Sequence, residues 1–483
     1  MSLMFNRLKG MLAVSVTLLA FGSSSLLAAD DIDRRALAID IDTMMINHYL
    51  KAYYPKIVSN NGEGVNVDVG REFNSSGGGN FNLDMQSRHL WSASMAMKLH
   101  PEYDGFKKAA EAAYTYIRDK MWDKADGGSA IRAGNWGHWE GEKALYSNGY
   151  AMSGLSAYYL ATGDTMALYI AKTTFRYLDS KNYDKEFGWY FGWGHDRKNQ
   201  DIGHHWLEGM AWLYQVWPEN APDTVGRGLL KKRVKEMSDL FLSSKWIRND
   251  GGIILDNNRE MTNGGGDNPG LAAEDAYLIY FYYQAIGEEP TQEQKETLKK
   301  IHGYARAKGA TPGQCFNVTP NSDRWWYDAE FMASLCCMGT ILDAGDSYIA
   351  DTKKHWEFIK DNYFDKQFGG CYKNPNDVNG PKGDGWQATY HSFKTMLFCR
   401  NWLTGSKKGW EGPISLAVKP GKKSGLKTAA PMRTSHYSYI TGNKAELKNV
   451  NTLYDLRGRI MGQININGLS NNGKISGVYI AKH

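Results

Sequence analysis

Beyond its first thirty residues the chain contains no apolar run approaching the ~20 residues a bilayer demands, which argues against a membrane-spanning protein. Cysteine is scarce too. Its five copies (Cys315, Cys336, Cys337, Cys371 and Cys399) all lie in the second half with no Cys-x-x-Cys spacing, so zinc is not indicated. No cysteine precedes Cys315, which excludes a lipid-anchored N-terminus. An exported chain could pair some of the five, but an odd number leaves at least one over, and Cys336 and Cys337 in an apolar run read as buried hydrophobes. No cluster of His, Cys and carboxylate residues has the spacing of a metal site, so neither metal nor cofactor is expected. A basic surplus is missing from the body. The formal charge of +5 is carried by the tail, which holds +9 from Ser415 onward, and by +2 in the first 29 residues, leaving about −6 for residues 30–414. That balance argues against nucleic acid as a partner.

Residues 1–29 read as a secretory leader: Arg7 and Lys9, the apolar run Met11 to Phe21, then small residues ending at Ala28-Ala29. The expected location is periplasmic, cell-surface or secreted. Hydrophobic residues make up 42% of the chain, with 16 Trp and 29 Tyr, which fits a dense helical core or a sugar-stacking cleft and excludes a disordered chain.

One stretch recurs. Asp184-Lys185-Glu186-Phe187-Gly188-Trp189 is echoed by Asp123-Lys124-Ala125-Asp126-Gly127-Gly128 and by Asp365-Lys366-Gln367-Phe368-Gly369-Gly370, with starts 61 and then 181 residues apart, and more weakly by Asn249-Asp250-Gly251-Gly252. The two later strong copies follow runs with apolar residues near helical spacing, Ala167 to Leu178 and Tyr348 to Ile359, so the Asp-Gly turn closes a helix. A unit of roughly 60 residues holds two ordinary helices plus loops, and residues 30–405 have room for about six. An open solenoid would need polar terminal repeats, and none is present. The spacing therefore predicts an all-α (α/α)6 barrel over residues 30–412. A Gly/Pro/Lys-bearing linker is expected at 413–428 and a small β unit at 429–483.

Several segments place polar and aromatic groups together in ways a helix core does not need. They are Arg88-His89-Leu90-Trp91, Lys143-x-x-Tyr146-x-Asn148-x-Tyr150, His204-His205-Trp206-Leu207-Glu208, Gly270-Leu271-Ala272-Ala273-Glu274, Trp325-Trp326-Tyr327-Asp328-Ala329-Glu330 and Trp386-Gln387-Ala388-Thr389-Tyr390-His391. Spread over different hairpins, they can meet only inside the barrel. On these motifs, in this order and spacing, residues 85–405 resemble the N-acylglucosamine 2-epimerase superfamily and within it the cellobiose 2-epimerases.

The resemblance implies metal-free proton transfer on the open-chain form of a reducing sugar, at a glucose or mannose unit. A base removes the C2 proton and charge moves to the C1 oxygen as a cis-enediolate. Return of the proton to the opposite face of C2 gives the epimer, and return to C1 gives the ketose. His391 matches one of two histidines that exchange the proton, and imidazole titrates in the range this work needs. Arg88 would stabilise the enediolate. His205 and Glu208, at i and i+3 on one helical face, match residues that support sugar binding and proton transfer, while His204 would point elsewhere. Glu274 matches a residue that assists the second histidine, but the position of that histidine is Leu271, which carries no proton. Trp91, Trp325, Trp326 and Trp386 could stack on sugar faces, with core packing the alternative for each and one indole of the 325–326 pair expected in the core. Tyr146, Asn148 and Glu330 are expected at the sugar.

The tail stretches Leu453 to Arg459 and Gly473 to Ile480 read as strands around turns and resemble the C-terminal sorting domains of type IX-like secretion systems, which would make secretion machinery a partner; a small appendage that merely packs or binds is the alternative. Two other function classes stay open: a glycoside hydrolase or lyase on the same barrel, with Asp328, Glu330, Glu208 and Glu274 as candidate carboxylates, and a sugar-binding protein that has lost the second base.

Overall fold

The computed structural model describes residues 33–59, 62–74, 82–123, 144–192, 196–219, 224–317 and 324–409, together with the short segments 437–440, 452–454, 460–463 and 479–482. The expected leader, the Asp126-Gly127-Gly128 part of the first repeat, Lys143 and the linker at 413–428 lie outside them.

Two kinds of helix alternate along the chain. The first kind is amphipathic, with one buried face: α1 (Arg34–Thr43), continued through a π-helical turn into α2 (Lys51–Ile57), then α4 (Asp104–Tyr116), α6 (Thr165–Asn182), α8 (Thr224–Phe241), α10 (Gln292–Ala307) and α12 (Ser347–Asn362). In α6 the buried positions Ala167, Leu168, Ile170, Ala171, Thr174, Phe175 and Leu178 make a single stripe. The second kind is buried almost all round: α3 (Leu83–Leu99), α5 (Leu145–Thr162), α7 (Gln200–Val216), α9 (Pro269–Ala285), α11 (Arg324–Thr340) and α13 (Tyr390–Leu403). A helix without a polar face must sit inside other helices.

The inner helices form a closed ring. α3 packs on α5, α5 on α7, α7 on α9, α9 on α11, α11 on α13, and α13 returns to α3. Each is paired with an amphipathic outer helix, which gives the (α/α)6 barrel expected from the period. Side-chain oxygens of Asn82, Asn199 and Asn268 cap the first turns of α3, α7 and α9. Between α5 and α7 the backbones almost touch. A Cβ on Gly149 would lie 2.4 Å from the His205 carbonyl oxygen, and one on Gly209 would lie 2.4 Å from that of Gly149, so neither position accepts a larger residue.

The repeated Asp-Gly stretch is the turn that reverses the chain after an outer helix. After α6, Asp184 Oδ1 accepts from the amides of Glu186 and Phe187, and Gly188 takes a positive φ of 74°. After α12, Asp365 repeats this on Gln367 and Phe368, with Gly369 at 78°. The likeness extends to partners. Asp184 is held by Lys198 at 3.2 Å and by Arg259 at 3.0 Å, and Asp365 by Lys382 at 2.9 Å and by Arg71 at 2.9 Å. Each arginine comes from the next hairpin around the ring, so these two clamps, on opposite sides of the barrel, staple adjacent hairpins together.

Strands β1 (Arg197–Asn199), β2 (Asp256–Asn258) and β3 (Gly264–Gly265) make a small antiparallel sheet, with β1 leading directly into α7. The chain divides into two compact units, Met1–Gly412 and Pro413–His483. In the second, β4 (Tyr437–Ile440), β5 (Thr452–Tyr454), β6 (Ile460–Gln463) and β7 (Tyr479–Lys482) form an antiparallel sheet in the order β4-β7-β5-β6. No helix among the described residues is long and apolar enough to cross a membrane. All five cysteines are free thiols in this structure, so the pairing that an exported chain allowed is not formed: Cys315 is partly exposed, the other four are buried, and Cys399 of α13 lies against Cys336 of α11.

Candidate active site

A cavity of about 160 Å³ opens where the inner helices begin. That is smaller than the ~300–1,000 Å³ typical of drug-sized ligand sites and suits a single sugar unit rather than a long chain. Its lining comes from the first two turns of the ring: Arg88 of α3, Tyr146 and Tyr150 of α5, Asp201 and His205 of α7, Leu271 and Glu274 of α9, Trp325 and Trp326 of α11, and His391 of α13. Asn268 and Trp386, just ahead of α9 and α13, complete the rim. Helices starting at one cavity direct their positive dipole ends toward it, each equivalent to roughly half a charge.

Arg88 is fixed on three sides. Its Nη1 donates to the Trp386 carbonyl at 3.0 Å, its Nη2 donates to the hydroxyls of Tyr146 and Tyr150 at 2.9 Å each, and its guanidinium lies 4.3 Å from the centre of the Tyr150 ring. Burial disfavours its charge, yet the phenols around it and Asp84 hold its pKa above the ordinary arginine value, so the cation persists. Across the ring, Tyr150 also meets His205 Nε2 at 3.1 Å, and Asp201 reaches the same nitrogen at 3.1 Å.

His391 is 6% exposed. Its Nδ1 lies 2.6 Å from Glu330 Oε1, and Trp326 packs against the ring with centroids 5.6 Å apart. Nε2 has no hydrogen-bond partner among the described residues. Burial drives its pKa well below that of a free imidazole, and Lys394, Arg88 and His205 add to this against the opposing pull of Glu274. The ring is therefore neutral at neutral pH, with Nε2 able to take a proton.

Behind this wall lies a buried charged cluster. Lys394 is fully buried, with Nζ 2.7 Å from Glu274 Oε1, 3.4 Å from Glu330 Oε1 and 3.8 Å from Glu208 Oε1. Burial raises the pKa of all three acids. For Glu274 the Lys394 charge and the charge and hydrogen bond of His204 more than reverse it, and for Glu208 the Lys394 charge and the hydrogen bond from His205 do. Glu330 stays well above the ordinary range because burial and the Glu274 charge prevail over Lys394 and the Tyr277 hydroxyl. Tyr277 donates to Glu330 Oε2 at 2.5 Å, and Tyr390 donates to Glu208 Oε1. His204 pairs with Asp275 at 2.5 Å, away from the cavity as expected. The donor atoms of Glu274, Glu330 and His391 are close enough to surround a cation, but the Lys394 ammonium already occupies the space between the two carboxylates.

Arg88, His205, Glu274, Trp325, Trp326, Tyr146, Trp386 and His391 thus share one cavity. Four other expected residues do not. Trp91 is fully buried, edge-on to Trp212, Tyr390 and Phe393, because its position on α3 faces the centre of the barrel below the cavity floor. Asn148 turns its Nδ2 back to the Ala144 carbonyl at 2.8 Å within its own helix. Glu208 and Glu330 lie behind Tyr390 and His391, their carboxylates taken up by the cluster. Both indoles of the 325–326 pair touch the cavity, and Trp325, 4% exposed, is also part of the buried core, as expected for one of the two. Sequence reasoning missed Lys394 and Asp201. Lys394 stands three residues after His391, on the same face of the helix, a spacing that could have exposed it.

No protein-family profile matches the chain. It is similar to the cellobiose 2-epimerase of Bacteroides fragilis, 23% identical over 352 residues that span 65% of this chain and 86% of that one. Among solved structures, the cellobiose 2-epimerase of Bacillus thermoamylovorans superposes with a TM-score of 0.63 at 17% identity, covering 76% of this chain and 99% of that one. A D-mannose isomerase superposes with a TM-score of 0.59 at 17% identity, covering 78% and 100%. The chain therefore has the (α/α)6 fold of these sugar epimerases and isomerases and resembles one of them in sequence along most of the barrel.

Proposed function

We propose that the protein is a carbohydrate isomerase or 2-epimerase acting on the reducing-end glucose or mannose unit of a sugar by proton transfer at C2. The observation that carries this reading is His391: a neutral imidazole whose Nδ1 is engaged by Glu330 and whose Nε2 is unpartnered at a cavity that also holds Arg88. Nε2 takes the C2 proton of the open-chain sugar. The electron pair moves to the carbonyl oxygen, where the Arg88 cation and the convergent helix N-termini stabilise the cis-enediolate. The same nitrogen returns the proton.

Leu271 bears on the outcome. A single base on one face of the enediolate hands the proton back to C1 or to the same face of C2, so ketose forms in preference to epimer. Hydrolysis is less well supported, because Glu208 and Glu330 are tied to tyrosines and Lys394 behind the cavity wall and the two carboxylates that line it are engaged, Glu274 by Lys394 and Asp201 by His205. Residues 1–29 and the tail further support export, with the tail as a sorting element.

Incubating the protein with cellobiose, mannobiose and mannose in deuterated water tests the reading. Deuterium at C2 or C1 with a ketose product is the expected result. Shortened chains would point to a hydrolase, and binding without any exchange to a sugar-binding protein.

A further inference from the structure

Lys394 is the largest unexplained investment of charge in the barrel: an ammonium with no exposure, on the same helix face as His391 and one turn further in. Hiding such an ion away from water costs several kcal/mol unless its partners are well placed. Its partners come from three separate inner helices, Glu208 of α7, Glu274 of α9 and Glu330 of α11. Mere stapling of α13 to its neighbours would need only one of them. The oxygen of Glu330 that faces Lys394 at 3.4 Å, Oε1, is also the one that meets His391 Nδ1 at 2.6 Å.

We propose that Lys394 is the positioning residue of the base: by facing Glu330 Oε1 it keeps that oxygen an acceptor, so the imidazole carries its proton on Nδ1 and presents a bare Nε2 to the cavity. This rests on the reading of His391 as the base. Oε1 accepts from Nδ1–H and faces the ammonium at 3.4 Å, while Oε2 accepts from the Tyr277 hydroxyl, so both oxygens of Glu330 are held as acceptors. With a neutral residue at 394, burial and the Glu274 charge act on Glu330 unopposed by the ammonium, and Oε1 takes up a proton from solvent and donates it to Nδ1. The ring then switches to the Nε2–H tautomer, which is no base toward the sugar. The switch adds one solvent proton to Glu330 and moves the ring proton of His391 from Nδ1 to Nε2; no other bond changes.

The other groups facing this cluster are fixed. Glu274 and Tyr277 of α9, Arg88 of α3, Tyr150 of α5, His205 of α7 and Tyr390 beside His391 all remain when Lys394 is changed. Loss of the ammonium therefore acts on His391 in one direction, toward easier protonation.

The test is ¹⁵N NMR of histidine-labelled protein, with His391 assigned by its loss in His391→Gln. In the wild type at neutral pH, His391 is expected as the neutral Nδ1–H tautomer. Lys394→Met should move it to the Nε2–H form and raise its titration by about one pH unit or more, the scale of one charge removed at close range, whereas Lys394→Arg should keep the wild-type spectrum. In parallel, C2 exchange by Lys394→Met should fall on the order of tenfold or more in kcat with KM little changed. A wild-type ring that is already Nε2–H or charged overturns the proposal even if Lys394→Met fails to fold, and so does an unchanged tautomer in a folded Lys394→Met. Absence of exchange in the wild type would instead remove the proposed function, with the NMR result still deciding the role of Lys394.

Discussion

A neutral histidine with one nitrogen held and the other bare is a one-directional tool, so its removal should be felt in turnover. His391→Ala is expected to lower C2 exchange by about 10²–10⁴-fold, the usual worth of a positioned acid–base group, with KM changed little; solvent-exchange NMR checks it. Leu271 lines the same cavity beside Glu274, one helical step away. Leu271→His should place a second imidazole on the α9 wall and raise the epimer-to-ketose ratio, measured by chromatography of the products. Motif spacing revealed Arg88, His205, Glu274 and His391, because each sits in the first two turns of an inner helix where polar residues interrupt an apolar run. It did not separate residues at the cavity from those one turn below it, as Trp91 and Asn148 show. That separation depends on where each helix crosses its neighbours, which one strand of sequence does not state. Lys394 stayed hidden for a related reason: a lysine is read as exposed until three acids from other helices are seen around it.

The Asp-Gly turn is the element whose recurrence made the barrel legible, and its chemistry explains why it recurs. Asp184 gathers two turn amides, Lys198 and Arg259 onto one nearly inaccessible carboxylate. Burial opposes the charge, but these partners prevail and depress its pKa from 3.8 to about 2, and Asp365 is depressed in the same way. A lowered folded-state pKa means stability that is complete above the unfolded value near 4 and is lost as pH falls through the folded one. Acid unfolding should therefore steepen between about pH 4 and pH 2, and Asp184→Asn should flatten that limb in a chemical-denaturation series. Lys198→Met, leaving Asp184 with Arg259 alone, is expected to cost about 2–3 kcal/mol, somewhat under the loss for a lone buried pair. Sequence could show the aspartate and glycine of this turn but not its cations, since Arg259 and Arg71 arrive from hairpins far along the chain.

At the scale of the molecule, the chain divides into two compact units, Met1–Gly412 and Pro413–His483. A chain ending at residue 412 should keep one cooperative melting transition within a few degrees of the full-length protein, followed by circular dichroism at 222 nm. Broad, non-cooperative melting of the shortened chain would show that the tail is part of the barrel's stability.

The ring has an order of completion as well as a shape. α13 is the last inner helix in the chain, it closes the circle onto α3 and packs against α1, and it carries both His391 and Lys394. While the ribosome is still short of residue 403, the polypeptide has neither its closing contact nor His391, and the first and last helices are joined only by contacts of the longest range, which form slowly. On the proposed reading, an incomplete chain therefore lacks its base as well as its closed ring. A nick that releases α13 would remove both at one stroke, with the other five inner helices still in hand.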